Sequence, residues 1–260
     1  ALPGAELPGG AVIASAVIRG EKSAGMLCSE KELGVGEDAS GIMLLPPETP
    51  LGVPLLSALG LEDTVFEISI TPNRGDCLSI LGIAREVSAV CANPVRYPEF
   101  TVHETGPEAA SLSSVTILDP AGCPRYAGRI LRGVTIGPSP GWLRRALESV
   151  GQRSINNIVD VTNYVMLEAG QPLHAFDFER LRGRRIVVRR AEEGERFTTL
   201  DGQTRTLFSD TLLICDGVGP VAVAGIMGGL ESEITAETTD VFLEAACFDP
   251  LSIRRTGKRI

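Results

Sequence analysis

Between Val115 and Phe248 the chain strings together β-prone runs, VTILD, YAGRILRGVTI, RIVVRRA, TLLICD, PVAVAG and DVFLEAACF, around only two helical stretches, GWLRRALESVG and INNIVDVTNYVMLEA. No other feature constrains the fold as much. A doubly wound parallel sheet needs a helix between nearly every pair of strands, and here strands outnumber helices without alternating with them. The pattern predicts an α+β domain of layered strands and helices.

The chain upstream has a different texture. Residues 1 to 70 are rich in Gly and Pro, with short apolar runs (AVIASAVI, GIMLLPP, VFEISI) between turn signals, which reads as small-barrel or sheet material. The chain opens without methionine and without a clear first strand, so this module is expected to be incomplete at its front. From residue 71 a turn cluster, TPNRGDC, leads into apolar residues at Leu78, Leu81, Ile83, Ala84, Val87 and Val90. That is helical spacing, and Asn93-Pro94 ends it. The division expected is 1–70 for the β module, 71–100 for a helical segment, 101–113 for a linker and 114–260 for the α+β domain. At the far end, DPLSIRRTGKRI reads as a helix opening at Asp249-Pro250 that reaches no C-cap before the chain stops.

Composition excludes several classes. With 43% hydrophobic and 22% charged residues, the chain is that of an ordinary globular protein. No apolar stretch approaches the ~18 residues of a membrane span, and ALPGAELPGG lacks the basic and apolar regions of a signal peptide. A cytoplasmic location is the expectation. The six cysteines contain no C-x-x-C pair and there are only two histidines, so no metal site is expected.

Net charge is -9, but residues 1 to 124 hold 6 Lys/Arg against 16 Asp/Glu and the remainder hold 18 against 17. The basic residues concentrate in RLRGRRIVVRR (180–190) and RRTGKRI (254–260). Such clusters are either a solvated face or a phosphate contact, because screening over ~10 Å makes local charge matter more than the total. Arg182, Arg184 and Arg185 are the candidates for phosphate.

Two catalytic patterns fail on context. GPSPG (137–141) matches the G-x-S-x-G of serine esterases, with Asp160 and His174 following in hydrolase order. A residue before proline is pushed to extended angles, however, so Ser139 reads better as the N-cap of a helix with Pro140 at its first position. GVGPVA (217–222) has dinucleotide-fingerprint spacing, but the β-rich PVAVAG after it offers no helix N-terminus to a pyrophosphate.

Three features remain. Thr162 lies on the apparent apolar stripe of its helix with Ile158, Val161 and Val165; it either bonds the carbonyl of residue 158 or faces a ligand. After that helix Gly170-Gln171-Pro172 turns the chain, which brings His174 back beside the helix end. Glu244 shares a strand face with Phe242 and Ala246; a carboxylate there is either paired or functional, because burying it bare costs several kcal/mol. The glycines of GIMGG (225–229) permit close backbone approach or simply make a tight turn.

Taken together, ISITPNRGDCLSILGIAREVSAV, INNIVDVTNYVMLEAGQPLHAFD, TLDGQTRTL, VAGIMGG and LEAACFDPLSIRRTGKR resemble the beta subunit of bacterial phenylalanyl-tRNA synthetase over essentially the whole chain. The resemblance implies a partial OB-type tRNA-binding module at the front, containing GMLCSEKELG, then part of a first helical domain, then a layered α+β B3/B4 domain with a hydrolytic editing site for misacylated Tyr-tRNA(Phe). The part of the family beyond residue 260, with its catalytic-like core, metal-binding region and anticodon-binding end, has no counterpart here.

Carried over residue by residue, the family's editing site falls on Thr162 and Asn163, on His174, on Gly225 and, as reader of the tyrosine hydroxyl, on Glu244. Thr162 and His174 are the candidates for orienting a water; Asn163, Gly225 and Glu244 are the candidates for holding substrate. The implied partners are tRNA(Phe), an alpha subunit in an alpha2beta2 assembly, and tyrosine or phenylalanine-like molecules in the pocket. No cofactor is implied for the editing site, whereas ATP and Mg2+ belong to aminoacylation outside these residues. A binding module without catalysis, and a serine esterase built on Ser139, are the competing expectations.

Overall fold

The computed structural model describes residues 1–260 and divides them at Thr64 into two units, six residues before the boundary expected from texture. In the first, β1 (Ala16–Ile18) and β2 (Glu21–Ser23) pair as an antiparallel hairpin. Its turn residues Arg19 and Gly20 both take positive φ, which matches the right-handed twist of a two-residue hairpin. Helix α1 (Glu30–Leu33) is opened by a capping box: Ser29 accepts from the Glu32 amide while the Glu32 carboxylate returns to Ser29. A further turn, α2 (Leu55–Leu59), completes its regular structure. The unit's β structure consists of this hairpin and an isolated antiparallel bridge between Glu6 and Val12.

The second unit opens with α3 (Ile80–Cys91), started by Ser79, which accepts from the Gly82 amide, and ended at Ala92 in the left-handed region, just ahead of Asn93-Pro94. The expected linker contains a short helix, α4 (Ala109–Leu112). It leads into β3 (Ser114–Ile117), which pairs in parallel with β6 (Arg185–Arg190). Beyond β6 lie β9 (Leu212–Cys215), β10 (Pro220–Val223) and β11 (Met227–Gly228), each antiparallel to its neighbour, giving the order β11-β10-β9-β6-β3. Both faces of this sheet are covered. Ile186, Val188, Leu212 and Ile214 enter one core cluster, while Leu213, Cys215 and Val223 enter another with Phe197 and Leu207. That two-sided burial explains the unbroken apolar run TLLIC. A small hairpin of β7 (Arg196–Thr198) and β8 (Thr204–Thr206) joins β6 to β9 in sequence.

A separate antiparallel sheet has β12 (Asp240–Cys247) at its centre, flanked by β4 (Arg125–Arg132) and β5 (Leu173–Asp177). Alternation sorts its residues to two sides. Phe176 and Phe242, with Tyr126 and Ile130, join Ile186, Val188 and Ile214 of the larger sheet in one cluster. Ala175, Val241 and Leu243 point the other way and pack with Ile158, Val134 and Ile136. The second unit is thus a five-stranded sheet, a three-stranded sheet and a helical layer, an α+β architecture as the strand pattern predicts.

The helical layer contains α5 (Gly141–Ser149) and α6 (Asn157–Ala169). Asn156 caps α6 by accepting from the amides of Ile158 and Val159, and Gly170 closes it at φ 78, where a side chain would also press within 3.2 Å of Ser79 Oγ. The stripe expected on α6 is only partly right. Val161 is 45% exposed, whereas Asp160 and Thr162 are the buried positions. Asp160 tolerates burial because Ser139 Oγ and Ser154 Oγ, both at 2.5 Å, and the Ile155 amide at 2.8 Å donate to it. Burial disfavours its charge, yet those donors prevail and hold its carboxyl below the usual range.

Ser139 is accordingly not the cap of α5. Pro140 occupies that position without a side-chain cap, and the serine hydroxyl points to Asp160 instead. The last helix, α7 (Pro250–Gly257), starts as its sequence predicts, with Asp249 accepting from the Ser252 amide and proline in the first turn. No helix is long and apolar enough to cross a membrane, and all six cysteines are free thiols.

Candidate functional site

The segment after Gly-Gln-Pro does not merely return beside the helix end; it forms β5 and pairs with the central strand. This places His174 directly opposite Glu244, with Gly128 opposite Glu244 on the other flank. Two residues along each strand, Phe176 faces Phe242. His174 and Glu244 therefore sit on the side of the sheet that meets the five-stranded layer, at the end of its aromatic core.

Glu244 is 6% exposed. Its Oε2 accepts from the Tyr126 hydroxyl at 2.7 Å, the one hydrogen bond that side chain makes within the chain. Burial pushes its carboxyl up to about 7, against the lowering effect of Tyr126. His174, partly buried, packs edge-on against Phe176 with ring centroids 4.4 Å apart. Burial alone pushes its imidazole down to about 4, with no charge or hydrogen bond opposing, so the ring is neutral at physiological pH. The pair is a neutral imidazole beside an acid poised between its two forms.

The glycine that fronts this pair is Gly228. A side chain there would meet the His174 ring at 2.7 Å and Leu200 at 3.0 Å, so only glycine lets the ring lie against the backbone. Gly225 stands elsewhere: it has φ +65, and its open side faces Phe248 and Ile253. Both glycines belong to GIMGG, and spacing alone could not separate them. Tyr126 has no signal of its own in the sequence, being a strand tyrosine 118 residues from its partner.

Thr162 and Asn163 are carried by α6. The Thr162 hydroxyl donates to the Val159 carbonyl at 2.7 Å, one residue along from the carbonyl considered from sequence, so it serves the helix. Ile158, one turn earlier on the same face, packs on the side of the sheet marked by Ala175, Val241 and Leu243; His174 and Glu244 alternate to the other side. Asn163 is half-buried.

The arginine run is occupied internally. Arg182 Nε donates to the buried Asp216 at 2.6 Å, Arg184 forks onto Glu179 at 2.9 Å, and Arg185 donates to the Gly217 carbonyl at 3.2 Å. Arg189 grips Glu195, and Arg190 meets Asp119. Asp216 also receives the amides of Val218 and Gly219, closing the GVGPVA turn ahead of a strand rather than a helix. Ligand atoms of Asp76, Cys77 and Glu86 lie within 4.8 Å of one another, but Arg74 bridges the two carboxylates at 2.7 to 3.3 Å and already supplies their countercharge.

The chain belongs to the B3/4 domain family, whose pattern matches residues 122–260. Among its relatives, the "Phenylalanine--tRNA ligase beta subunit" of Syntrophus aciditrophicus (strain SB) is 58% identical over 98% of this chain and 32% of its own length. The protein of the same description from Geobacter sulfurreducens is 57% identical over 99% and 32%. This chain thus spans about a third of the length of these curated relatives. A solved N-terminal fragment of the phenylalanyl-tRNA synthetase beta subunit from Pyrococcus horikoshii aligns with 69% of this chain and 54% of its own, at 18% identity and TM-score 0.40.

Proposed function

We propose that this chain is part of a phenylalanine--tRNA ligase beta subunit and that its B3/4 domain hydrolyses tyrosine esterified to tRNA(Phe). The observation that carries this reading is Glu244: a buried carboxyl with one oxygen held by Tyr126 and no other protein partner. A pocket that leaves an acceptor desolvated and unpaired discriminates strongly for a ligand that brings a hydroxyl and against one that lacks it. Tyrosine and phenylalanine differ by that hydroxyl.

In this mechanism Glu244 accepts from the phenol, and the neutral His174 beside it lines the pocket and orients water. The aminoacyl ester is already activated, so a positioned water suffices for attack. Ser139 is a poor nucleophile, since its hydroxyl donates to Asp160 within a cage of structural hydrogen bonds. Thr162, Asn163 and Gly225 remain in the proposal through resemblance; Gly228 enters it through contact with His174. Arg182, Arg184 and Arg185 are weak candidates for phosphate, because each already has an internal acceptor. ATP, Mg2+ and an alpha subunit belong to aminoacylation by the complete ligase, beyond these residues.

The test is deacylation of Tyr-tRNA(Phe) by the full-length enzyme carrying Glu244→Ala or His174→Ala. A loss of about a hundredfold in either is expected, from the ~1–3 kcal/mol of an unmade hydrogen bond to a buried or charged group. Wild-type rates in both variants would refute the reading.

A further inference from the structure

The phenol of Tyr126 is the part of this site that no sequence pattern marks. On β4, Tyr126, Gly128 and Ile130 share a face with Phe242, Glu244 and Ala246 of the central strand. Tyr126 stands opposite Ala246 and Gly128 opposite Glu244, so the tyrosine is the diagonal neighbour of the acid, within reach of a long side chain. A residue with a side chain at 128 would be closer, but the Phe242 ring already fills the space over that glycine. Tyr126 is thereby the one group that β4 offers to Glu244.

Resting on the editing reading above, we propose that Tyr126 is a positioning residue for amino-acid discrimination: by donating to Glu244 Oε2, it keeps the acid an acceptor and leaves Oε1 to receive the hydroxyl of a tyrosyl ester. The direction of this bond is fixed by chemistry. Burial, reinforced by the adjacent carboxyl, pushes the Tyr126 phenol far above its ordinary range, so it remains a donor at any physiological pH. A carboxyl that accepts from it favours the ionised form. A tyrosyl ligand then brings a second donor to the same carboxylate, and a phenylalanyl ligand brings none.

Without the Tyr126 hydroxyl, Glu244 loses the group that favours its charge, so its titration moves further upward and the protonated form, a donor, predominates where the site needs an acceptor. The other titratable groups around it do not replace that effect. His174 on β5 is neutral, and the thiols of Cys123 in the turn before β4 and Cys247 on β12 carry no positive charge.

The experiment uses the full-length subunit assembled in the ligase, with phenylalanylation as the control for intact assembly. Hydrolysis of Tyr-tRNA(Phe) is followed against pH for the wild type, Tyr126→Phe, Glu244→Gln and the double variant. Tyr126→Phe is expected to move the acid limb of the profile upward by about one unit and so to lower the rate near pH 7 about fivefold, with recovery at higher pH. In the Glu244→Gln background the same change is expected to add less than a twofold effect. A pH-independent loss in Tyr126→Phe that multiplies fully with Glu244→Gln would mean that the tyrosine only supports the fold, and would overturn the inference. So would an unchanged profile in Tyr126→Phe alongside an impaired Glu244→Gln. Wild-type hydrolysis by Glu244→Gln would instead overturn the editing reading on which the inference rests.

Discussion

The site should leave a signature in folding stability that needs no substrate. Glu244 has its carboxyl raised from 4.5 to about 7 by burial. An acid whose pKa is higher folded than unfolded stabilises the fold below its unfolded value, and that contribution is lost as pH rises through the folded one. At ~1.4 kcal/mol per unit, the loss between pH 4.5 and 7 is ~3 kcal/mol. His174 does the reverse, since burial lowers its imidazole from 6.5 to about 4: its contribution is full above 6.5 and is lost as pH falls toward 4. Between 4.5 and 6.5 the two slopes oppose, and the wild-type curve hides both.

Substitution separates them. Glu244→Gln keeps the shape and can still accept from Tyr126, so its stability relative to wild type should rise by ~1.4 kcal/mol per unit from pH 4.5 to 7 and stay level above. His174→Gln should gain relative to wild type as pH falls from 6.5 to 4. Trp142, the single tryptophan, stands on α5 in the second unit, so denaturant unfolding followed by its fluorescence reports the relevant part of the chain. If the difference between Glu244→Gln and wild type is the same at pH 5 and pH 8, the carboxyl is not desolvated as described and the reasoning fails.

Gly228→Ala should drive a methyl into the His174 ring and lower Tyr-tRNA(Phe) hydrolysis, with ~1–3 kcal/mol lost in the same unfolding assay; an unchanged rate would remove Gly228 from the site. Ser139→Ala should destabilise by ~1–3 kcal/mol, because Asp160 loses a donor while buried, yet leave hydrolysis per folded molecule intact; selective loss of activity would revive the esterase reading. Thr162→Val, which deletes only a hydroxyl bonded to its own helix, should change stability by less than ~1 kcal/mol; a large fall in hydrolysis without unfolding would show that this hydroxyl also serves the reaction.

What could be read in the sequence was local. Helix α7 was legible from Asp249-Pro250, and α3 from its apolar spacing and Asn93-Pro94, because caps and breakers act within a few residues. The inclusion of strands in two sheets was not, since β5 has five residues and β11 two, too short for periodicity to declare. The stripe on α6 misled because a carboxylate and a threonine are buried there in place of Val161, each satisfied by partners that apolar periodicity does not weigh. The internal partners of the arginine run were not legible either: its acceptors at Asp216 and Asp119 lie 34 and 71 residues away, and a cluster of charge does not disclose its distant counterions. Glu244 was legible as a question, and only the register of β12 against β4 and β5 supplied Tyr126 and His174 as its neighbours.

That register also sets which way the site's side chains point. On β12, Val241 and Leu243 pack toward α6 while Phe242 and Glu244 face the larger sheet. A slip of one residue would bring Leu243 to the acid's side and turn Glu244 toward the helix layer, so the same apolar residues that set the layers also aim the carboxyl. Its neighbours are on strands too: His174 on β5, Tyr126 on β4, and Gly228 on β11, which pairs with β10. A carboxyl fixed by core packing cannot swing away to find water when the ligand lacks a hydroxyl. On the proposed editing reading it then stays desolvated, and that is the condition under which a single missing hydrogen bond discriminates between two amino acids of nearly equal size.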